Sequence, residues 1–293
     1  MGIRTANRRW LDRLSTAGLI GPPVVWLIAF YAFPVVFVIG FSLNLMSLFP
    51  GDVGLDFGVW RDTLSSPHYR GLLLKSFRMS LTVSVVSVLM AYPVAYFLAF
   101  CVRSRKYILF LVIIAPFWTS FLLRVLAWRV ILGEQGLLNS AAYWLNLRSP
   151  DDPIPHLIYS QFSVMLVLVY DWVPFVVFPI FMSLEAMDRS LMDAAGDLGA
   201  SRLTAFLKVT LPLSAPGAIA GFLFVFIPTL GEFVTPLLVG GPTGFLYGNA
   251  IADLFGFGLD WQTGSVLALQ LLAIVLVLAA VMSRFLLPSR VQR

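Results

Sequence analysis

The 293-residue chain is predicted to be an all-α integral membrane protein with six transmembrane helices and one long polar loop on the cytoplasmic side. Three observations carry this prediction. Hydrophobic residues make up 59% and charged residues 12% of the chain, and a mean hydropathy of +0.88 lies far from the balance of a soluble domain. Six apolar stretches reach the roughly 20 residues that a helix needs to cross the hydrocarbon core. The polar connections between them alternate in sign of charge, as topology signals do.

The first element is a basic tail, 1–18, with Arg4, Arg8, Arg9 and Arg13. The apolar run that follows outlasts the h-region of a signal peptide and shows no convincing cleavage site, so it is taken as a retained first span, 19–44. An outer loop, about 45–75, carries the turn residues Pro50-Gly51-Asp52 and the aromatics Phe57, Trp60 and Tyr69, and is expected to pack as a small cap. Spans at 76–101 and 107–131 flank the basic turn Arg103-Ser104-Arg105-Lys106. Loops 132–156 and 240–263 hold Glu134, Asp151, Asp152, Asp253 and Asp260 with Arg148 as their base. Spans at 157–184, 214–239 and 264–287 complete the set, followed by a tail, 288–293. Arg284, Arg290 and Arg293 close the chain, and the positive-inside rule places both termini in the cytoplasm.

One transmembrane domain, 19–287, is therefore expected, with its longest cytoplasmic connection at about 185–212. Pro34, Pro93, Pro116, Pro174, Pro179 and Pro228 fall inside spans, where neighbours must satisfy the carbonyls that a proline frees. Trp144, Trp172 and Trp261 are candidate interfacial anchors.

Several chemistries are excluded. Cys101 stands alone, and His68 and His156 have no metal-ligand spacing, so neither a disulfide framework nor a metal site is expected. The net charge of +5 sits beside apolar runs and marks topology, not nucleic-acid binding. No G-x-x-x-x-G-K-[ST], H-E-x-x-H or G-x-S-x-G occurs, so catalysis and nucleotide binding by the chain itself are not expected. Uphill transport would draw its energy from an ion gradient or another subunit.

The polar loop is the most informative segment. "RSLMDAAGDL" and "SRLTAFLKV" predict two short helices broken near Gly199. Leu191, Ala194, Ala195 and Leu198 recur at spacings of three and four, with Asp193 and Asp197 beside them. Ser201 is placed to cap the second helix. On periodicity alone, the first helix either docks on another protein or lies on lipid headgroups.

"DAAGDLGASRLTAFLKVTLP" resembles the coupling loop of bacterial ATP-binding-cassette (ABC) importer permeases. That pattern runs E-A-A, three residues, Gly, nine residues, an aliphatic, one residue, Leu-Pro. Asp193, Ala194, Ala195, Gly199, Val209, Leu211 and Pro212 fill it, with Asp193 where the family usually has Glu. The resemblance implies the type I ABC importer permease fold and a helix that docks on a cytoplasmic ABC ATPase dimer, which would hold the ATP and Mg. It also implies a second homologous permease subunit and a periplasmic substrate-binding protein. No cofactor is implied in this chain.

"PFWTSFLLRVLAWRVILGEQGLLNS" from Pro116, "VPFVVFPIF" after Asp171 and "GEFVTPLLVGGP" from Gly231 resemble the spermidine/putrescine permease type. Asp171 in mid-span and Glu232 in the outer half of the fifth span are candidate partners for ammonium groups, and Trp118, Trp128 and Trp172 are candidate cation–π faces. Asp171 equally suits a helix–helix hydrogen bond. Arg124 and Arg129 suit snorkelling, neutralisation of those acids, or an anion. Anion or opine-like solutes, a gradient-driven secondary transporter and an intramembrane enzyme are the rival readings; the last would need a facing pair of aspartates in adjacent spans.

Overall fold

The computed structural model describes residues 3–48, 53–102, 104–149 and 152–286, with backbone alone for 3–17 and 283–286. Pro50-Gly51-Asp52, Arg103, Asp151, Arg290 and Arg293 lie outside the described residues, as do the side chains of Arg4, Arg8, Arg9, Arg13 and Arg284 and the tail 288–293. Among the described residues the architecture is helical, without strands.

The long helices are α1 (Ile3–Ser42), α3 (Pro67–Tyr96), α7 (Gln161–Glu185), α10 (Leu211–Leu230) and α13 (Trp261–Leu286). Shorter ones are α2 (Gly58–Ser65), α4 (Lys106–Ile114), α5 (Phe121–Leu132), α6 (Leu137–Trp144), α8 (Ser190–Asp197), α9 (Arg202–Ala205), α11 (Gly241–Gly244) and α12 (Tyr247–Phe255). Among the described residues, five helices are long and apolar enough to cross a membrane, and a bent pair makes six if it counts as one span.

Two expected spans are corrected. The stretch 107–131 is not one helix: Lys106–Trp118 and Phe121–Trp144 meet at a bend of 82°. The last turn of the first part, Ala115–Trp118, tightens to 3-10 geometry at Pro116, and Thr119 and Ser120 then run extended. Proline removes a helical donor and clashes with the preceding turn, and two hydroxyl residues readily leave the helix. The stretch 214–239 also breaks, because α10 ends at Leu230 and the chain resumes in a π-helical turn, Pro236–Gly240. Gly231, Glu232 and Phe233 form that break. The second span starts earlier than expected, at Pro67, whose missing N–H costs nothing in the first turn.

The core is built where α3, α7 and α10 pack together. Lipid tails are as apolar as leucine, so helix association in a bilayer relies on close van der Waals contact between small residues. Helix α3 accordingly buries Ser76, Ser80, Ser84, Ser87, Ala91 and Ala95. Gly217 and Gly221 of α10 meet α7 where a Cβ would lie 2.5 Å from the Pro179 carbonyl oxygen and 2.9 Å from Val176 Cγ1, respectively. Ser160 and Ser163 form a capping box at the start of α7, with bonds of 3.2 and 3.1 Å. The Ser163 hydroxyl is also 2.6 Å from the Val239 carbonyl, which ties α7 to the turn after the α10 break.

The expected cap exists in part. Helix α2 packs on α13 and α3, and Tyr69 joins a cluster with Tyr247, Ala250 and Leu267. Phe57 stays exposed instead. Trp261 packs between Phe41 and Phe255, with both ring centroids at 5.3 Å. Trp144 is 83% exposed.

Candidate functional site

Two places carry the residues that the sequence singled out. The first is the loop between α7 and α10. Asp188 Oδ1 accepts the Ser190 N–H at 2.9 Å and so starts α8. The backbone N–H of Ser190 holds this exposed carboxyl below the usual carboxylate range. Because the folded pKa is depressed, the cap contributes above the ordinary carboxylate pKa and fades as pH falls through the folded one. Sequence reading passed over Asp188, although an Asp two residues before a short helix is a start signal.

Helix α8 ends in a Schellman motif. Gly199 N–H donates to Gly196 at 2.9 Å, and Ala200 N–H donates to Ala195 at 3.0 Å. Gly199 itself has φ +77, a left-handed conformation that an L side chain enters at about 1–2 kcal/mol. Gly199→Val should therefore speed amide exchange at Ala200 by about 5- to 30-fold. An unchanged exchange rate would contradict this account of the turn. Ser201 caps α9 through the Thr204 N–H at 3.2 Å, as its position predicted.

The face of α8 that turns outward carries Leu191, Asp193, Ala194, Asp197 and Leu198, all exposed, with Leu198 at 88%. Ala195 and Met192 are half-buried, and the Thr210 hydroxyl lies 3.1 Å from Met192 Sδ. Met192 was absent from the predicted face, from whose leucines it lies about 100–120° round the helix, although it adjoins Ala195. Val209 lies in a π-helical turn, Phe206–Thr210, that runs directly into Leu211 and Pro212 at the start of α10.

The root of this loop is fastened to two other spans. The Arg189 guanidinium donates to the Ala99 carbonyl at 2.9 Å and lies 5.7 Å from the Phe100 ring centroid. Both belong to the π-helical turn, Phe97–Cys101, that extends α3. Lys106 at the start of α4 pairs with Glu185 at the end of α7. The start of the loop is thus tied to the turn that extends α3 and to α4, and Met192 of α8 reaches Thr210 just before α10.

The second place is a cavity of about 400 Å³ lined by Phe121, Arg124, Asp171, Trp172, Phe175, Pro228 and Glu232. Asp171 is 3% exposed and sits ten residues into α7, about 15 Å along its axis at 1.5 Å per residue. Arg124 does not snorkel. Its Nε donates to Asp171 Oδ1 at 2.7 Å, and its second nitrogen donates to the carbonyls of Thr119 at 2.7 Å and Phe117 at 3.2 Å. Those carbonyls are among the acceptors that the 82° bend leaves without helical donors.

Glu232 Oε1 accepts the N–H groups of Val234 at 2.9 Å and Thr235 at 3.0 Å. It is thus a backbone staple for the α10 break as well as a wall of the cavity. Asp171 Oδ2 and Trp172 Nε1 are buried without hydrogen-bond partners among the described residues. One guanidinium faces two carboxylates, so the cavity carries a net formal charge of −1.

Asp171, Trp172 and Glu232 thus meet in one cavity, together with Arg124. Trp118 and Trp128 do not line it. Trp118 is 80% exposed, and Trp128 packs edge-on against Tyr170 at 5.2 Å. Arg129 lies apart, 3.4 Å from the Tyr159 hydroxyl, in a different opening with Glu134 and Gln135.

The whole chain, residues 1–293, matches the model of the binding-protein-dependent transport system inner membrane component. The chain belongs to that family. It is a multi-pass permease of the ABC importer type, a transport component and not an enzyme.

This permease is 35% identical over 249 residues to the spermidine/putrescine transport system permease protein PotB of Escherichia coli (strain K12), covering 85% of this chain and 89% of PotB. It is 33% identical over 221 residues to the PotB of Haemophilus influenzae, covering 75% and 76%. Its fold superposes on a bacterial ABC transporter that imports the acidic polysaccharide alginate, with a TM-score of 0.71 at 18% identity over 99% of this chain and 100% of that one. At that identity the likeness concerns the fold alone.

Proposed function

We propose that the permease carries polyamines, spermidine or putrescine, across the inner membrane as one subunit of a binding-protein-dependent, ATP-driven importer. The observation that carries the substrate class is the cavity beside Asp171: two carboxylates, one guanidinium and the rings of Phe121, Trp172 and Phe175 make a wall suited to a primary ammonium. The 35% identity to PotB supports the same class.

In this reading the termini and α8 face the cytoplasm, where the basic turn around Arg105 and Lys106 also lies. Asp193, Ala194, Ala195, Gly199, Val209, Leu211 and Pro212 form the coupling segment, which meets a cytoplasmic ABC ATPase dimer holding ATP and Mg. A second homologous permease completes the membrane pair, and a periplasmic substrate-binding protein delivers the solute. Closure of the ATPases moves α8, and the contacts of Arg189, Lys106 and Met192 pass that motion to α3, α4, α7 and α10.

The test is uptake of radiolabelled putrescine and spermidine by proteoliposomes holding the permease pair and its ATPase, with the binding protein added outside. ATP-dependent accumulation of either polyamine is expected. ATP hydrolysis stimulated by the loaded binding protein without polyamine uptake would overturn the substrate assignment.

A further inference from the structure

The buried ion pair between Arg124 and Asp171 does more than hold a bend. Buried pairs are weak stabilisers, since replacing both partners by well-packed apolar groups is often neutral or favourable. Ionisable groups at membrane depth are expensive and generally belong to a pathway. This pair has side chains only 12% and 3% exposed, yet its geometry is single-point and not the two-point fork that arginine and carboxylate can form.

Asp171 Oδ2 is buried and unpartnered, and Asp171 lines the cavity. The guanidinium, for its part, has other partners. It donates to the carbonyls of Thr119 and Phe117 through Nη1, not through the Nε that holds the carboxylate, and lies 5.0 Å from the Phe117 ring centroid.

We propose that Arg124 is an exchangeable internal counter-ion, a specificity-determining residue that occupies Asp171 between turnovers and yields it to the substrate's ammonium during passage. The inference rests on the polyamine reading given above. An arriving ammonium meets Asp171 Oδ2 and Glu232 in a cavity whose net charge of −1 it neutralises. Its three N–H donors compete with the single guanidinium bond to Oδ1.

The exchange takes from the guanidinium its Nε bond to Asp171, while its Nη1 bonds to the two carbonyls can stay in place. A hydrated inorganic cation has no such route, since it must shed water and offers no N–H donors to the carboxylate. Arg124 also anchors the bend between α4 and α5, so exchange at Asp171 is tied to the angle of that broken span. Release on the far side follows when Arg124 takes Asp171 back.

The two single variants should move KM in opposite directions. Arg124→Gln removes the positive charge beside Asp171 and, ending two bonds short of Nη1, gives up the Thr119 and Phe117 carbonyls, so KM for putrescine should fall about tenfold while kcat also falls, one charge-assisted hydrogen bond being worth that much. Asp171→Asn should raise KM about tenfold. The double variant R124Q/D171N should keep the raised KM of Asp171→Asn.

Uptake is measured in the same proteoliposomes, and thermal unfolding of each complex is recorded alongside. If Arg124→Gln does not assemble, Arg124→Lys replaces it. That ammonium keeps Asp171 neutralised but loses the fork to Thr119 and Phe117, so KM should stay within about twofold of wild type while kcat falls. A shift of KM in the same direction for Arg124→Gln and Asp171→Asn, no shift in either, or wild-type kinetics in the double variant would overturn the proposal. So would a tenfold fall of KM in Arg124→Lys. Failure of the wild-type complex to take up polyamine under conditions where it hydrolyses ATP would instead refute the substrate reading.

Discussion

Asp193→Arg should reduce ATP-driven uptake by more than tenfold while leaving the permease folded. Asp193 is exposed on the outward face of α8, so the substitution breaks no packing contact and costs the helix only its first-turn acid, about 0.3–1 kcal/mol. In the proposed coupling role, its effect falls on docking. Reversing one charge of a desolvated pair across an interface costs about 2–5 kcal/mol, enough to lower docking affinity by tens to thousands of times.

The comparison variant is Asp197→Arg, one helical turn further along and outside the matched pattern, where a smaller loss is expected. Asp193→Glu restores the residue usual in the family and adds one methylene of reach, so it should keep or raise uptake. Detergent-solubilised complexes should show the ATPase dissociating from the Asp193→Arg permease on size exclusion. Full uptake with the ATPase retained would place the coupling contact elsewhere on the loop.

Composition and charge made the architecture readable because a membrane chain must satisfy its backbone internally, and apolar run length then fixes the spans. The loop was readable for a different reason. Gly199 marks a left-handed turn and Ser201 a cap, and both are local signals that owe nothing to the rest of the fold. The two breaks were harder to see. Pro116 was noted as a kink, but an 82° bend depends on Thr119 and Ser120 leaving the helix and on Arg124 supplying donors to the freed carbonyls.

That last contact joins residues on opposite sides of the break to one on α7, and no spacing in the sequence encodes it. The same is true of the cavity. Asp171 and Glu232 were each suspicious as acids in apolar surroundings, but their shared wall with Arg124 is a property of packing. Arg189 was the clearest omission. It belongs to the coupling segment by sequence, and only its 2.9 Å bond to the Ala99 carbonyl reveals that it fastens that segment to α3.

Gly217→Leu should abolish folded permease in the membrane, and the sign of the milder Gly217→Ala separates two explanations. Gly217 lies inside α10, where local propensity alone would make alanine the more stable residue by roughly 0.5–1 kcal/mol. Packing argues the reverse. A Cβ there would lie 2.5 Å from both the Pro179 carbonyl oxygen and Ser183 Cβ, and neither a backbone oxygen nor a Cβ swings away like the end of a flexible chain. Overpacking a close-packed contact costs about 1–3 kcal/mol for a few added atoms, so alanine should lower the midpoint of thermal unfolding and leucine should prevent recovery of the folded protein. Gly71→Leu serves as the control, because no neighbouring atom lies within 4 Å of a Cβ at that position on α3. A Gly217→Ala permease with a raised midpoint would mean that α10 and α7 can separate at little cost, and the close approach of these two helices would then not be what holds the core.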